Sequence, residues 1–189
     1  MSIARRELIL GGQRSGKSRR GEQLAAAWLS QSPAHRAVLV ATAHAHDDEM
    51  RARIERHRND RAVRVPAMST VEESIALAQV IRQHASPETL VLVDCLTLWL
   101  TNLLMPVSGP MDAMPLVDPA VDDLLEAIKG SAGPLVLVGN EIGLGVIPLG
   151  REVRAFVDAL GRLNQEVAGA CDRVTMMMAG LPMTLKEPE

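Results

Sequence analysis

The sequence predicts an α/β protein in which a mostly parallel sheet lies between two layers of helices, in one domain over residues 1–189. Short, continuous apolar runs alternate along the chain with segments of helical periodicity, a pattern typical of parallel strands buried on both faces. The length of 189 residues fits one domain. Hydrophobic residues make up 47% of the chain and aromatic ones 2%, so the predicted core is aliphatic.

The predicted strands are the short apolar runs at residues 7–10, 37–41, 90–93, 135–138 and 174–178, with a last edge strand at 183–185. The predicted helices lie between them, at residues 18–29, 47–61, 71–81 and 96–104, from 118 onward, and at 151–170. Asp47 is the expected N-cap of the second helix, and Asp118-Pro119 is the second helix-start signal. The stretch 105–118, rich in Pro and Gly, is a predicted surface loop.

Charge, composition and cysteine content argue against several classes of protein. The formal net charge is -3 and the chain has no Tyr, so it lacks the basic surface and the stacking aromatics of nucleic-acid-binding proteins. Cys95 and Cys171 have no CxxC spacing and are expected to be reduced thiols of a cytoplasmic protein rather than zinc ligands. The apolar run 8–10 is too short for a signal peptide or a membrane span.

A phosphate-binding motif lies between the first predicted strand and the first predicted helix: Gly11-Gly12-Gln13-Arg14-Ser15-Gly16-Lys17-Ser18. Glycine, four residues and Gly-Lys-Ser in this context form the P-loop pattern. The glycines let backbone N–H groups point at phosphate oxygens, and the helix behind directs the positive end of its dipole at the anion. Lys17 reaches the β- and γ-phosphates, and the Ser18 hydroxyl can ligate Mg²⁺. The motif therefore predicts a nucleoside triphosphate site on a three-layer fold of the P-loop NTPase type (RecA-like).

Polar residues follow two of the predicted strands. Asp94 follows the run 90–93, where such folds carry the carboxylate that holds Mg²⁺. A strand-end Asp that caps the next helix is the alternative, and the P-loop upstream favours the metal role. Asn140 and Glu141 also follow a strand, at the edge where open α/β sheets bind ligands. The alternative for this pair is a turn with a helix cap.

The predicted helix after Asp47 is strongly basic. Its arginines flank one histidine: Arg53, Arg56, Arg58 and Arg61 around His57. Clustered guanidinium groups suit a triphosphate. A solvated, charged helix with a histidine at its boundary is the alternative that this segment alone allows.

Motifs along nearly the whole chain resemble one family. The segment DDEMRARIERHR at 47–58 resembles a signature of the bifunctional adenosylcobinamide kinase / adenosylcobinamide-phosphate guanylyltransferases of cobalamin biosynthesis. The other matches are GGQRSGKS at 11–18, VATA at 40–43, LVDCLTLWLTNLL at 92–104, GNEIGLGVIP at 139–148, REVRAFVDALGRLNQEVA at 151–168 and CDRVTMMMAGLP at 171–182. Because their order and spacing are right, the chain is identified as a member of this family.

The resemblance implies two reactions on one chain. The terminal phosphate of ATP or GTP first passes to the aminopropanol hydroxyl of adenosylcobinamide. GMP from GTP is then attached to that phosphate, and pyrophosphate is released. In the family the guanylyl group passes through a covalent histidine intermediate, and His57 is the matching residue. The resemblance also implies a homotrimer.

The residues expected to act are assigned on this basis. The expected catalytic residues are His57, Lys17 and Asp94, and the expected Mg²⁺ ligands are Ser18 and Asp94. The expected nucleotide-binding residues are Gly11 to Ser18 of the P-loop together with Ala41, Thr42, Ala43, Arg53, Arg58, Asn59, Asp60, Arg61, Glu72 and Asp94. Asn140, Glu141 and Arg154 are candidate substrate contacts or supports. Because Arg154 and Asp158 share a helix face, an internal ion pair and a contact across subunits are both open.

The chain departs from the family pattern at two places. No Trp follows the His-Arg segment, so Val65 or Met68 would have to pack the nucleotide base in its place. Pro148-Leu149-Gly150 stands where the family has Pro-Glu-Asn. Two other functions also stay open: an enzyme that performs guanylyl transfer alone, and a non-catalytic nucleotide-binding switch.

Overall fold

The computed structural model describes residues 3–43, 48–105 and 117–188, apart from the side chains of residues 49, 50, 53 and 57. Within these ranges the strands are β1 (Arg6–Gly11), β2 (Arg36–Ala41), β3 (Met68–Glu72), β4 (Thr89–Asp94), β5 (Leu135–Val138), β6 (Arg173–Met178) and β7 (Leu181–Lys186). The helices are α1 (Lys17–Leu29), α2 (Asp48–Arg64), α3 (Leu77–His84), α4 (Leu96–Leu104), α5 (Val117–Gly130) and α6 (Arg151–Ala170).

The strands form one seven-stranded sheet within the described residues, in the order β3-β2-β4-β5-β1-β6-β7. Neighbours from β3 to β6 pair in parallel, and β7 pairs antiparallel to β6. This arrangement confirms the predicted α/β class and its mostly parallel sheet. The last strand closes one edge, as its late, short apolar run predicts.

The order of the strands explains the placement of the helices. Connections between parallel strands are almost always right-handed, so the direction of a crossover decides which face its helix covers. The connections β1 to β2 and β2 to β3 run toward the β3 edge, and they place α1 and α2 on one face. The later crossovers run the other way, and they place α3 to α6 on the opposite face.

Two apolar cores follow from these layers. Leu8 and Leu10 of β1 point into the core beneath α3 to α6, while Ile9 between them points into the core beneath α1. The alternation is that of a strand buried on both faces. Trp99 of α4 lies in the larger core at 1% exposure, and its indole N–H donates to the carbonyl of Ile75 at 2.9 Å.

The predicted helix over residues 71–81 is wrong in its first half. Val71 and Glu72 end the edge strand β3, which the sequence analysis missed, and α3 begins only at Leu77. Between them the Glu73 carboxylate accepts the N–H groups of Ile75 and Ala76, both at 2.8 Å, which closes a turn. The apolar residues of the strand, the turn and the helix together are spaced with the periodicity of one helix face. This spacing explains why the sequence predicts one continuous helix.

The other element predictions differ by a few residues or fall outside the description. Trp28 of α1 is only partly buried. Helix α5 begins at Val117, one residue before the expected Asp118. The expected N-cap Asp47, and residues 106–116 of the expected loop, lie outside the described residues.

Candidate functional site

The P-loop joins β1 to α1 at the carboxyl edge of the sheet. Its backbone has φ angles of 152° at Gly11, 57° at Arg14 and 100° at Gly16, which residues with a side chain rarely adopt. A Cβ at Gly11 would lie 2.5 Å from the carbonyl oxygen of Met177 in β6. The path of the loop therefore requires glycine at this strand end.

The turn between β6 and β7 supports the loop from the side. The Gly180 N–H donates to the Ser15 carbonyl at 3.1 Å. Within the loop, the Ser15 N–H donates to the Gly12 carbonyl at 3.3 Å. These two contacts hold the loop to its own backbone and to the neighbouring turn.

Lys17 and Ser18 begin α1. Lys17 is 7% exposed, and its ammonium donates to the Gly12 carbonyl at 2.6 Å, so the charge lies over the loop. Gly16, the N-cap, makes no side-chain cap hydrogen bond. The first N–H groups of α1 are then suited to an anion. The hydroxyl of Ser18 is half-buried beside them.

Asp94 ends β4 and is held by its neighbour strand. Thr42, just after β2, is fully buried, and its N–H donates to the Asp94 carbonyl at 3.1 Å. The Thr42 hydroxyl donates to the Cys95 carbonyl at 2.7 Å and accepts the Cys95 N–H at 2.8 Å. Asn102 of α4 donates to the Thr42 carbonyl at 2.9 Å. Thr42 thus fixes the backbone around Asp94, and this position suits support rather than direct contact with a nucleotide.

The segment after β5 lies beside the start of the P-loop. The Glu141 N–H donates to the Gly11 carbonyl at 3.1 Å, and the Asn140 N–H donates to the Thr97 hydroxyl at 2.8 Å. Strands β1 and β5 are neighbours, yet their following connections leave toward opposite faces of the sheet. Such a divergence opens the crevice in which open α/β sheets bind ligands. Strand β5 also lies between β1, which leads into the P-loop, and β4, which ends at Asp94. The distance from β1 to β4 across the sheet is therefore about 10 Å.

Helix α2 brings arginines to the same edge. Arg58 lies 3.6 Å from Glu72, the last residue of β3. Arg61 is half-buried, and this burial lowers the pKa of its guanidinium, while the carboxylates of Asp94 and Glu22 act in the opposite direction. The backbone of His57 is next to Arg58 and about one helical turn before Arg61. Its side chain, like that of Arg53, lies outside the described residues.

A cavity of about 330 Å³ lies between α2 and β3. Its lining includes Val65 and Met68, the residues named as replacements for the missing Trp, together with Arg58 and Arg61. Asn59 also lines it. An apolar floor beneath guanidinium groups is a suitable surface for a planar, anionic ligand.

Arg154 contacts backbone carbonyl oxygens rather than Asp158, its possible ion-pair partner on the same helix face. Its guanidinium donates to the carbonyl oxygens of Pro148 and Leu149 at the start of α6. Among the described residues, no ion pair joins it to Asp158. Arg154 therefore holds the segment that follows Asn140 and Glu141.

The two cysteines are buried, unpaired thiols. Burial raises the pKa of Cys95 and of Cys171 to about 12, so both thiols are protonated at neutral pH. Although Cys95 is next to Asp94, it is not poised as a nucleophile. None of the described helices has both the length and the apolarity needed to cross a bilayer.

Comparison with known proteins decides the family. Residues 7–185 match the model of the family described as cobinamide kinase / cobinamide phosphate guanyltransferase. The chain belongs to this family. Membership confirms the resemblance, and it makes the chain an enzyme of cobalamin biosynthesis with kinase and guanyltransferase activities.

The curated relatives of this cobinamide kinase / guanyltransferase match over nearly their full length. The chain is 48% identical over 182 residues to the bifunctional adenosylcobalamin biosynthesis protein CobP of Pseudomonas aeruginosa, covering 96% of this chain and 97% of the relative. It is 35% identical over 187 residues to the corresponding CobU protein of Escherichia coli, covering 95% and 98%.

A solved structure, the flagellar accessory protein FlaH from Methanocaldococcus jannaschii, aligns over 100% of this chain and 80% of that chain. The TM-score is 0.54 and the identity 11%, so the likeness is one of fold alone. It is consistent with the predicted P-loop NTPase-type (RecA-like) fold.

Proposed function

We propose that this enzyme phosphorylates adenosylcobinamide at the P-loop and then transfers GMP from GTP to the product through His57. One observation carries the proposal. The P-loop, Asp94 and the arginines of α2 converge on one edge of the sheet, in a chain of the kinase / guanyltransferase family.

In the kinase step, the adenosylcobinamide hydroxyl attacks the γ-phosphorus of ATP or GTP. The bond from that phosphorus to the β-phosphate bridging oxygen breaks, the nucleoside diphosphate leaves, and the hydroxyl proton is released to water. Lys17 and the first N–H groups of α1 offset the charge on the transferring group and the leaving group. Since the protein itself holds both, Lys17 through the Gly12 carbonyl and the N–H groups through the helix, little reorganisation is needed.

Mg²⁺ is the cofactor of this proposal. The Ser18 hydroxyl and the Asp94 carboxylate are hard oxygen donors at the same edge of the sheet, and Mg²⁺ is typically bound by one or two such protein groups together with substrate phosphates. The donor chemistry therefore fits. When bound, the ion would supply charge neutralisation at the phosphates.

In the guanylyl step, an imidazole nitrogen of His57 attacks the α-phosphorus of GTP, and pyrophosphate leaves. A phosphate oxygen of adenosylcobinamide phosphate then attacks the same phosphorus, the P–N bond breaks, and adenosyl-GDP-cobinamide forms. A neutral imidazole is a competent nucleophile for this step. We assign charge stabilisation to Arg53, Arg58 and Arg61. Among them Arg61 is half-buried, and a half-buried guanidinium acts more strongly than an exposed one.

The remaining candidates have supporting roles in this proposal. Glu72 holds Arg58, and Thr42, with Ala41 and Ala43 beside it, fixes Asp94. Asn59 and Asp60 are exposed on α2 near the cavity beneath it. We assign contact with adenosylcobinamide to Asn140 and Glu141, whose backbones lie beside the P-loop and α4, and support of the segment that follows them to Arg154.

A homotrimer is also part of the proposal. Large apolar side chains are exposed in residues 142–153 and 178–185, including Val146 and Leu149 at 96% each. Exposed apolar groups of this density mark contact surfaces between proteins. We place the reactions in the cytoplasm, where ATP and GTP are available, and expect no nucleic-acid partner because the net charge is -3.

The test is a turnover assay with adenosylcobinamide and ATP, then with adenosylcobinamide phosphate and GTP. Replacing Lys17 by Met should lower the kinase kcat about 10²–10³-fold, the usual effect of losing one preorganised donor. Lys129→Met, at an exposed position of α5, is the control and should leave kcat unchanged. Product from adenosylcobinamide phosphate but none from adenosylcobinamide would show an enzyme that transfers guanylyl groups alone.

A further inference from the structure

Glu22 is a buried carboxylate on the helix that carries the P-loop. It is 3% exposed in α1, on a face that otherwise buries Leu24 and Ala25. A carboxylate taken out of water requires a charged or hydrogen-bonding partner. Its partner is Arg64, the last residue of α2, whose Nη1 donates to Glu22 Oε2 at 2.7 Å.

The described side chains of α2 contact the rest of the chain through charged groups rather than through the apolar cores. Among its described side chains, none belongs to either apolar core, and Val63 is 84% exposed. Arg58 and Glu72 are both largely exposed, and such pairs contribute little. The pair of Arg64 and Glu22 is different, because one partner is buried and the hydrogen bond is short.

Arg64 is also oriented from within its own helix. Its second terminal nitrogen, Nη2, donates to the Asp60 carboxylate at 3.2 Å, so two acceptors fix the guanidinium plane. Contact with Glu22 raises the pKa of Arg64, so the guanidinium is charged throughout the physiological range.

We propose that Glu22 and Arg64 form a positioning pair for guanylyl transfer. The pair joins the end of α2 to α1 and thereby sets the position of His57 relative to the triphosphate on the P-loop. His57 lies about two helical turns before Arg64, or about 10 Å along α2. This inference rests on the proposed role of His57. Neither partner touches the reacting atoms, and both act through the placement of α2.

The experiment compares the two reactions of one chain in matched variants. The variants are Glu22→Gln, Arg64→Gln, the double variant of both, and the conservative Arg64→Lys. Each is assayed for guanylyl-enzyme formation from GTP labelled at the α-phosphate, and for phosphorylation of adenosylcobinamide by ATP. Arg82→Gln is the control, because Arg82 pairs with Asp123 on the other face at a similar distance, 2.6 Å.

Guanylyl-enzyme formation should fall about tenfold to a hundredfold in both single variants, the effect expected of misplacing a reacting group by about 1 Å. The ATP-dependent kinase rate should stay close to that of the wild type. Arg64→Lys should restore most of the lost rate, and the double variant should be no slower than either single one. The control should change neither rate. A single variant can fail to fold because one charge stays buried without its partner. In that case the double variant, which removes both charges, is the one whose guanylylation and kinase rates are compared with those of the wild type.

Guanylylation at the wild-type rate in the Gln variants would overturn the positioning role of Glu22 and Arg64 and leave the proposed role of His57 intact. A parallel fall of both reactions would also overturn it, since the pair would then only stabilise the fold. A wild type that takes up no label would instead overturn the proposed role of His57, and this inference with it.

Discussion

At the scale of single residues, the candidate site depends on buried polar groups that need not touch a nucleotide. Thr42 exchanges two hydrogen bonds with the backbone of Cys95 and a third with Asp94. In a buried position each of these groups costs free energy if it loses its partner. The position of Asp94 therefore depends on Thr42, which follows the neighbouring strand β2.

Replacing Thr42 by Val should destabilise the protein by about 1–3 kcal/mol, because it removes the hydroxyl that accepts the buried Cys95 N–H and leaves the Cys95 carbonyl with the Trp99 N–H as its donor. The kinase kcat should fall as well, because the Cys95 backbone next to Asp94 loses its hydrogen bonds with the Thr42 hydroxyl. Thr42→Ser keeps the hydroxyl and should lie near the wild type. Urea unfolding and turnover measure the two effects, and Thr184→Val at an exposed position of β7 is the control. Full stability of Thr42→Val would contradict this role.

The sequence predicts those site residues that can be recognised from a short stretch of neighbouring residues. The P-loop and the strand-end position of Asp94 could be predicted, because each depends on a motif or on one strand. Glu22 could not, because a glutamate in an amphipathic helix usually faces water, and its burial here depends on an arginine 42 positions away. The contact between Thr42 and Cys95 likewise joins residues 53 positions apart.

At the scale of elements, the order of strands decides what meets at the site. The right-handed crossovers place α1 and α2 side by side, so the P-loop helix and the basic helix share one face. The sequence predicted most elements within one or two residues. It missed β3, because that edge strand is only half-buried and lacks a continuous apolar run.

The contact between the P-loop and β6 predicts a difference between two adjacent glycines. Gly11→Ala should lower the thermal unfolding midpoint and weaken nucleotide binding, because its Cβ would lie 2.5 Å from a backbone carbonyl at a φ of 152°. The free energy of unfolding of Gly11→Ala should be lower by about 1–3 kcal/mol. A Cβ at Gly12 meets no atom within 4 Å, so Gly12→Ala should unfold at the wild-type temperature. Equal shifts in the two variants would contradict the described path of the loop.

At the scale of the whole molecule, the exposed apolar residues are the feature that the single chain does not explain. Among the described residues, most of them lie in the segment between β5 and α6 and along β7. Leu144 is 77% exposed and Leu181 70%. A monomer would leave this surface in water, whereas a homotrimer offers it a partner.

Charge placed on this surface should therefore separate the subunits. Leu144→Asp combined with Val146→Asp should convert the proposed homotrimer to folded monomers in sedimentation velocity, because a buried, unpaired carboxylate disfavours association. Val63→Asp introduces the same charge at an 84% exposed position of α2 and should leave the trimer intact. A wild type that sediments as a monomer at micromolar concentration would refute the homotrimer.

The most direct test of the central claim is covalent labelling of His57. The wild type, His57→Ala and the control His84→Ala are incubated with Mg²⁺ and GTP labelled at the α-phosphate, without adenosylcobinamide, and are then denatured; a parallel set receives γ-labelled GTP. We expect acid-labile α-label on the wild type and on His84→Ala, no label on His57→Ala, and no γ-label on any of them. Equal α-label on His57→Ala, or none on the wild type, would contradict the assignment of His57 as the guanylylated nucleophile.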